Sequence, residues 1–489
     1  MLARVRRGLK LAAGALALVL VTIFAVRAFD AWRAPPLKLW HTVVPRELVA
    51  DEIDAASWDD WMKAESRAMN DVLTRVTDKL PAGDRVAANR FFAKSPMNPA
   101  RLATDWNRSQ VLVPEGTPRG AAVLLHGLTD SPYSLRHLAA FYRDRGFVAV
   151  TIRMPGHGTV PGGLTQVDWR DWMAATRLAV RHARELAGPG TPLHVVGYSN
   201  GGALAMKYAL DTLADKRLER PKQIVLISPM IGITSFARFA GVLGWPAVFP
   251  PFAKAAWLDV LPEYNPIKYN SFPVNGARQS SQLVRSLDAE LARYVGHADL
   301  VDLPPVLTFQ SALDSTVSVS AVFDGLYARL PAVDKPNAVV LFDYNRNAAA
   351  AALIDPAQAA IEAAALAWEP RPYARTVVMN GEQTSRVEAV DLPHWTMHGG
   401  GRPLAQEYPA QFYSLSHVAL PFPMNDPLYG VEPASDEMGV HLGTVAVRGE
   451  RGGLVVTTDT LMRASCNPFF DYLLSRIDAT LPQNAINPR

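Results

Sequence analysis

Cysteine is all but missing. Cys466 stands alone among 489 residues, so no disulfide can form within the chain. A single thiol fits any redox compartment, and with no strand-to-turn setting ahead of it Cys466 reads as structural rather than nucleophilic. Charge is sparse too. Charged residues make up 19% of the chain and the net charge is +3. No run of Lys and Arg interleaved with aromatics occurs, which argues against nucleic acid as a partner. No His and Cys residues fall at metal-ligand spacing, so neither a metal nor an organic cofactor is expected. No internal repeat is evident. What the chain does have is a 49% hydrophobic share over a long sequence, enough for a large core. Length alone fits two or three domains or one α/β domain carrying insertions.

Long apolar runs are also rare, with one exception. Leu11 to Val26 is a stretch of sixteen uncharged residues between Arg4, Arg6, Arg7 and Lys10 on one side and Arg27 on the other. As a helix it spans about 24 Å at about 1.5 Å per residue, short of the roughly 30 Å of a bilayer core. Snorkelling by Lys10 and Arg27 completes the span. Residues 1–30 are therefore expected to anchor the chain in a membrane. The basic flank then lies in the cytoplasm and the bulk of the chain outside it, periplasmic or extracellular. The alternatives are a signal peptide cleaved near Val26-Arg27-Ala28, which leaves a secreted protein, and a soluble helix.

Ala34-Pro35-Pro36 closes this segment, and residues 31–107 read as a helical extension with Trp40, Trp58 and Trp61 as packing anchors. From 108 to 489 the texture changes. β-Rich apolar runs at 121–126, 147–152, 193–198, 223–228, 304–309 and 338–342 alternate with helical patterns such as 132–145 and 168–187. Continuous apolar strands separated by helices predict an α/β domain with a mostly parallel sheet covered on both faces. Two long interruptions break the rhythm. One, about 231–302, is rich in aromatics and Pro. The other, about 345–410, holds an Ala-rich helix over 348–367 and a hairpin around Asn380-Gly381. A hairpin-like "GTVAVRGERGGLVVTT" and a helix from about 467 end the chain. These read as excursions from one core.

The chemistry concentrates in "LHVVGYSNGGALA", residues 193–205, where a strand pattern breaks into glycines around one hydroxyl and resumes as a helix pattern. Gly-x-Ser-x-Gly alone is a weak signal, but at the end of a parallel strand it lifts Ser199 above the sheet as a nucleophile. The Asn200 N–H then faces the place where an oxyanion forms. The second donor is the N–H of Leu128, in "VLLHGLTDSP", after an earlier strand. The string His398-Gly399-Gly400-Gly401 looks like a lipase oxyanion loop, but no strand precedes it and it reads as a flexible loop. Serine needs a base held by an acid. Asp314, in a short loop after the strand pattern at 304–309, is the expected acid and Asp343 its rival. Chain order removes most of the eleven histidines and leaves His417, in "FYSLSHVALPF", as the expected base, with His394 the alternative.

The order Ser199, Asp314, His417, with His126-Gly127 upstream and "RMPGHGT" at 153–159, resembles the α/β-hydrolase superfamily. It is most similar to the branch of monoacylglycerol lipases, lysophospholipases and serine-aminopeptidase-like hydrolases. The resemblance covers roughly 108–345 and the His417 loop. It departs from the usual pattern in the more than seventy residues between Asp343 and His417. It implies a cap over the nucleophile at about 231–302, where Phe236, Phe239, Leu243, Trp245, Phe249 and Phe252 crowd together; acyl-chain contact is the expected role, and packing of the cap onto the core the alternative. It implies that His157 supports the fold. The expected function is cleavage of carboxylic esters, acyl-glycerol or lysophospholipid-like, through a Ser-Asp-His triad and an acyl-enzyme, on a small-molecule or lipid substrate. Peptidase or acyltransferase chemistry on the same fold is the alternative, and a catalytically silent scaffold a more distant one. Oligomeric state is not legible.

Overall fold

The computed structural model describes residues 2–232, 250–332, 337–347, 371–392, 400–444 and 463–482. The apolar runs form strands almost where the sequence puts them: after β1 (Gln110–Leu112) come β2 (Gly120–Leu125), β3 (Phe147–Ile152), β4 (Leu193–Tyr198) and β5 (Gln223–Ile227). A small pair, β6 (Trp257–Asp259) and β7 (Phe272–Pro273), stands apart. The main sheet resumes with β8 (Val306–Ser311), β9 (Ala338–Phe342), β10 (Ala374–Asn380), β11 (Arg386–Leu392) and β12 (Gly400–Glu407). Every residue of β2, β3, β4, β5 and β8 is buried, as strands covered on both faces require.

The sheet order is β1-β3-β2-β4-β5-β8-β9-β10-β11-β12. Neighbours from β3 through β10 pair in parallel. The edge strands β1, β11 and β12 are antiparallel. The hairpin at Asn380-Gly381 is the β10–β11 turn. The 345–410 segment thus extends the sheet rather than leaving it. Its last strand, "GGRPLAQE", escaped the sequence reading because no residue in it is buried and it carries a Pro, features of an edge strand. The Ala-rich stretch 348–367, His394 and His398, and most of the C-terminal hairpin pattern lie outside the described residues.

The helices are α1 (Leu2–Arg33), α2 (Leu39–Thr42), α3 (Ala50–Ala55), α4 (Trp58–Val72), α5 (Arg136–Asp144), α6 (Trp169–Ala187), α7 (Asn200–Ala214), α8 (Val274–Tyr294) and α9 (Phe470–Asp478). On one face of the sheet Val195 packs with Trp172 of α6, Ala205 of α7 and Leu283 of α8. On the other, Val196 packs with Tyr142 of α5 and Phe470 of α9. Asp168 caps α6 by accepting from the Arg170 N–H at 2.9 Å, and Gly188, at φ 82°, ends it.

Helix fills only the first part of the 31–107 extension. Beyond a π-turn ending at Thr77 the chain runs in turns and short 3-10 pieces, since Pro81, Gly83, Pro96 and Pro99 interrupt any longer helix. The tryptophans do anchor it. Trp40 stacks on Phe91 and Trp58 on His182, while the buried Trp61 donates to Ser109 Oγ at 3.1 Å. The fully buried Arg153, at the end of β3, donates to Glu47 at 2.7 and 2.9 Å and to Glu65 at 3.1 Å. Burial opposes the Arg153 charge, but Glu47 and Glu65 outweigh it and hold the guanidinium pKa above its ordinary value. The extension is therefore tied to the sheet by buried charge. At its start, α1 holds an 18-residue stretch within Val5–Arg33 with mean hydropathy 2.4 and no buried residue, long and apolar enough to cross a membrane.

Candidate active site

Ser199 sits between β4 and α7 with φ 54° and ψ −118°, a conformation costly for a residue with a side chain. Its glycine neighbours explain how the bend closes. A Cβ on Gly201 would lie 1.9 Å from the Leu125 carbonyl oxygen, and one on Gly197 would lie 2.2 Å from the Gly201 carbonyl oxygen. Only glycine lets the ends of β2 and α7 approach so closely. The strained residue is held by its own backbone: its N–H donates to Ile227 at 3.0 Å, and its carbonyl accepts from Met230 and Gly202, both at 2.9 Å.

The loop after β2 meets this bend. His126 is buried and accepts from the Met154 N–H at 3.0 Å; burial lowers its pKa to about 4, so it is a neutral structural imidazole. His157 packs edge-on against it, with ring centroids 5.0 Å apart, and is held well below the ordinary histidine value by burial. Thr129 in this loop adopts φ 63°. Among the described residues neither the Leu128 nor the Asn200 backbone N–H has a hydrogen-bond acceptor, which leaves both available to a ligand.

Asp314 and His417 meet although about a hundred residues separate them: His417 Nδ1 lies 2.9 Å from Asp314 Oδ2. Asp314 Oδ2 also accepts from Gln310 at 3.0 Å, and Oδ1 accepts from the N–H groups of Thr316 and Val317 at 2.8 and 3.1 Å. Burial alone would raise the carboxyl pKa; the His417 charge and these hydrogen bonds outweigh it and hold it below the ordinary aspartate value. The His417 ring stacks on Tyr198, with centroids 5.4 Å apart. Asp343 is engaged elsewhere: it accepts from the Tyr344 N–H at 2.8 Å and from Arg346 Nε at 2.7 Å.

Ser199, Leu128 and His417 all line one cavity of about 590 Å³. Sequence reasoning missed several other contributors to its wall. Lys268 and Phe272 come from the approach to α8, and Ser280 of α8 itself donates to Asn200 Oδ1 at 2.7 Å. The α8 residues buried at 276, 280, 283, 284, 287 and 291 follow a helical period that would have exposed this wall as an amphipathic helix. The apolar residues Phe236, Phe239, Leu243, Trp245 and Phe249 lie outside the described residues; Phe252 is described and meets Phe24 of α1.

A parallel sheet with a strained serine at the turn after β4, and an Asp-His pair delivered from later loops to the same cavity, define the class. The chain has the α/β-hydrolase fold and is similar to serine ester hydrolases. Residues 116–339, a little under half of the chain, match the family model described as serine aminopeptidase, S33. The chain is 24% identical over 216 residues to a thermostable monoacylglycerol lipase from Bacillus sp. (strain H-257), covering 43% of this chain and 78% of that protein. Among solved structures it is similar to a metagenome-derived lipolytic enzyme from work on LipS and LipT, at 21% identity, 53% and 96% coverage of the two chains and a TM-score of 0.38. Another is the monoglyceride lipase of Saccharomyces cerevisiae, at 16% identity, 48% and 82% coverage and a TM-score of 0.37. Within its class the chain thus resembles the monoacylglycerol lipase branch.

Proposed function

We propose that Ser199, His417 and Asp314 form a triad that cleaves carboxylic esters, acyl-glycerol or lysophospholipid-like. Ser199 Oγ attacks the ester carbonyl while His417, through the nitrogen not engaged with Asp314, takes the hydroxyl proton and passes it to the leaving alcohol. Asp314 fixes the imidazole tautomer and stabilises the imidazolium. The N–H groups of Leu128 and Asn200 hold the oxyanion, and water then resolves the acyl-enzyme. No metal or organic cofactor enters the scheme. The observation that carries this reading is the 2.9 Å Asp314–His417 pair lining, through His417, the cavity that holds the strained Ser199. The name of the Bacillus relative supports the acyl-glycerol substrate. The S33 family description keeps peptidase chemistry as a second reading.

The molecule is read as an anchor at 1–30, an extension at 31–107 and a hydrolase domain at 108–489, its cap at about 231–302 including the undescribed aromatics Phe236, Phe239, Trp245 and Phe249. The catalytic domain lies on the far side of the membrane from the basic flank, in the periplasm or outside the cell. A fluorophosphonate probe should label the wild type and not Ser199→Ala. Paired acyl-ester and amide panels then separate the two chemistries. A labelled Ser199→Ala protein, or an unlabelled wild type, overturns the assignment.

A further inference from the structure

The last turns of α1 do not hang free of the catalytic domain. Ala28 and Ala31 are buried, and Phe24 packs edge-on against Phe252 with ring centroids 6.2 Å apart. Arg27, at the end of the apolar run, turns its guanidinium inward and donates to the carbonyl oxygens of Trp257 at 2.9 Å and Ala255 at 3.4 Å. Lys254 in turn donates to the Ala34 carbonyl. A helix that served only as a targeting signal would have no reason for small residues and a half-buried cation to match this segment.

The segment that receives α1 leads directly into the candidate site. Trp257 opens β6, whose last residue, Asp259, lines the Ser199 cavity; Phe272 of the paired β7 lines it too. Trp257 is buried against His41, with ring centroids 4.8 Å apart, and His41 Nε2 lies 3.0 Å from Ser271 Oγ. A continuous set of contacts therefore runs from α1 to one wall of the cavity.

Outward-facing residues of the same helix fix what lies around it. Leu9, Leu11, Leu16, Leu18, Val19 and Val21 are exposed, a surface that suits lipid acyl chains and not water. Phe29 and Trp32 are exposed at the far end, and Arg33 sits over the Phe29 ring at 5.6 Å. Exposed aromatics and arginine at the end of an apolar span mark the lipid–water boundary. That boundary falls within one or two turns of the Arg27 and Ala31 contacts, so the β6–β7 wall lies at the membrane surface.

We propose that α1 is retained in the mature protein and docks on Phe252–Trp257, holding the β6–β7 wall of the cavity against a lipid bilayer, from which substrate enters. The retention and docking stand independently; the route of entry rests on the ester-hydrolase reading above. Intact mass of the protein extracted from membranes should include the whole of α1, and a mature chain beginning at or beyond Ala28 overturns the proposal. In a Cys466→Ser background, Phe24→Cys with Phe252→Cys should be joined by a short bifunctional thiol linker in intact membranes, and failure to join them overturns the docking whatever the enzyme hydrolyses. Arg27→Gln with Ala31→Leu should lower the hydrolysis of a long-chain monoacylglycerol in phosphatidylcholine vesicles about tenfold or more. Hydrolysis of a soluble short-chain ester should stay within about twofold. Equal losses on both substrates, or no loss on either, overturn the route of entry. A wild type inactive on every ester sinks the ester reading and leaves the mass and linking results to judge the docking.

Discussion

Ser199 and His417 reach the same cavity by opposite means. Ser199 is placed largely by its own neighbourhood, a strand, two glycines and a helix that begins immediately after it, with backbone from Leu125, Ile227 and Met230 closing the bend. His417 stands in a segment without regular structure and is placed by side chains from far away. Ser311 Oγ donates to the Leu415 carbonyl at 2.7 Å, and Asn345 Nδ2 donates to Phe412 at 2.9 Å. Downstream, the fully buried Asp426 accepts from His137 at 2.8 Å, Arg136 at 3.2 Å and Tyr133 at 3.0 Å, which pins the 417–444 segment to α5 and the turn before it. Burial would raise the Asp426 pKa, but these partners hold it below the ordinary value. The Ser199 bend is largely a local object; the place of His417 is a product of the whole sheet.

If that contrast is right, the two halves fail differently. Ser199→Ala should lower kcat/KM for a short-chain ester by roughly three or more orders of magnitude, and His417→Ala by a similar amount, since members of a triad act as a unit. Ser199→Ala should not shift the melting temperature by more than about 2 °C, because it leaves the supporting backbone bonds in place, whereas His417→Ala should lower it, because it strips the buried Asp314 of its partner. Activity within about tenfold of wild type in either variant would remove the mechanism. The next effect separates the two carboxylates. Asp314→Asn should cost about two to four orders of magnitude in kcat through loss of the imidazole tautomer. Asp343→Asn should leave kcat within about threefold yet lower thermal stability, since it breaks the Arg346 contact at a buried site. The opposite pattern would move the acid to Asp343.

The same contrast sets what the sequence could tell. The main-sheet strands β2, β3, β4, β5, β8 and β9 were legible because burial on both faces writes itself as unbroken apolar runs. The Ser199 bend was legible because its glycines stand together in the sequence, although the close approach that demands Gly201 comes from Leu125 of β2. Asp314 and His417, which the fold brings together, were singled out by chain order and loop shape, which is weaker information: nothing in "FYSLSHVALPF" states that Ser311 and Asn345 will hold it. The long gap before His417 read as an insertion because β12 lacks an apolar face, although β10 to β12 simply widen the sheet. The cavity wall from Lys268 to Ser280 went unseen since its residues become neighbours of Ser199 only when α8 packs on α7.

Asp130 offers the finest test, because it belongs to the loop beside the nucleophile yet lies within electrostatic reach of His417. It is buried in the turn after Thr129, and the Ser131 N–H donates to its Oδ1 at 2.9 Å. Burial pushes its pKa up to about 6; Lys268, hydrogen bonds from Ser131 and Ser134, and His417 pull the other way without cancelling that push. In the unfolded chain the same carboxyl titrates near about 4. The folded value is the higher one, so the folded state binds the proton more tightly and ionisation works against folding. Below about pH 4 the group is protonated in both states and costs nothing. As pH rises from about 4 to about 6 the unfolded state ionises first, stability falls, and above about 6 the loss levels off at up to about 3 kcal/mol. Asn keeps an acceptor for the Ser131 N–H and carries no charge. Asp130→Asn should therefore melt close to the wild type at pH 4 and above it at pH 7.5, with kcat within about threefold. A melting difference that stays constant from pH 4 to pH 8 would mean that Asp130 ionises as freely as a solvated carboxylate and that its charge in the loop beside His417 carries no burial cost.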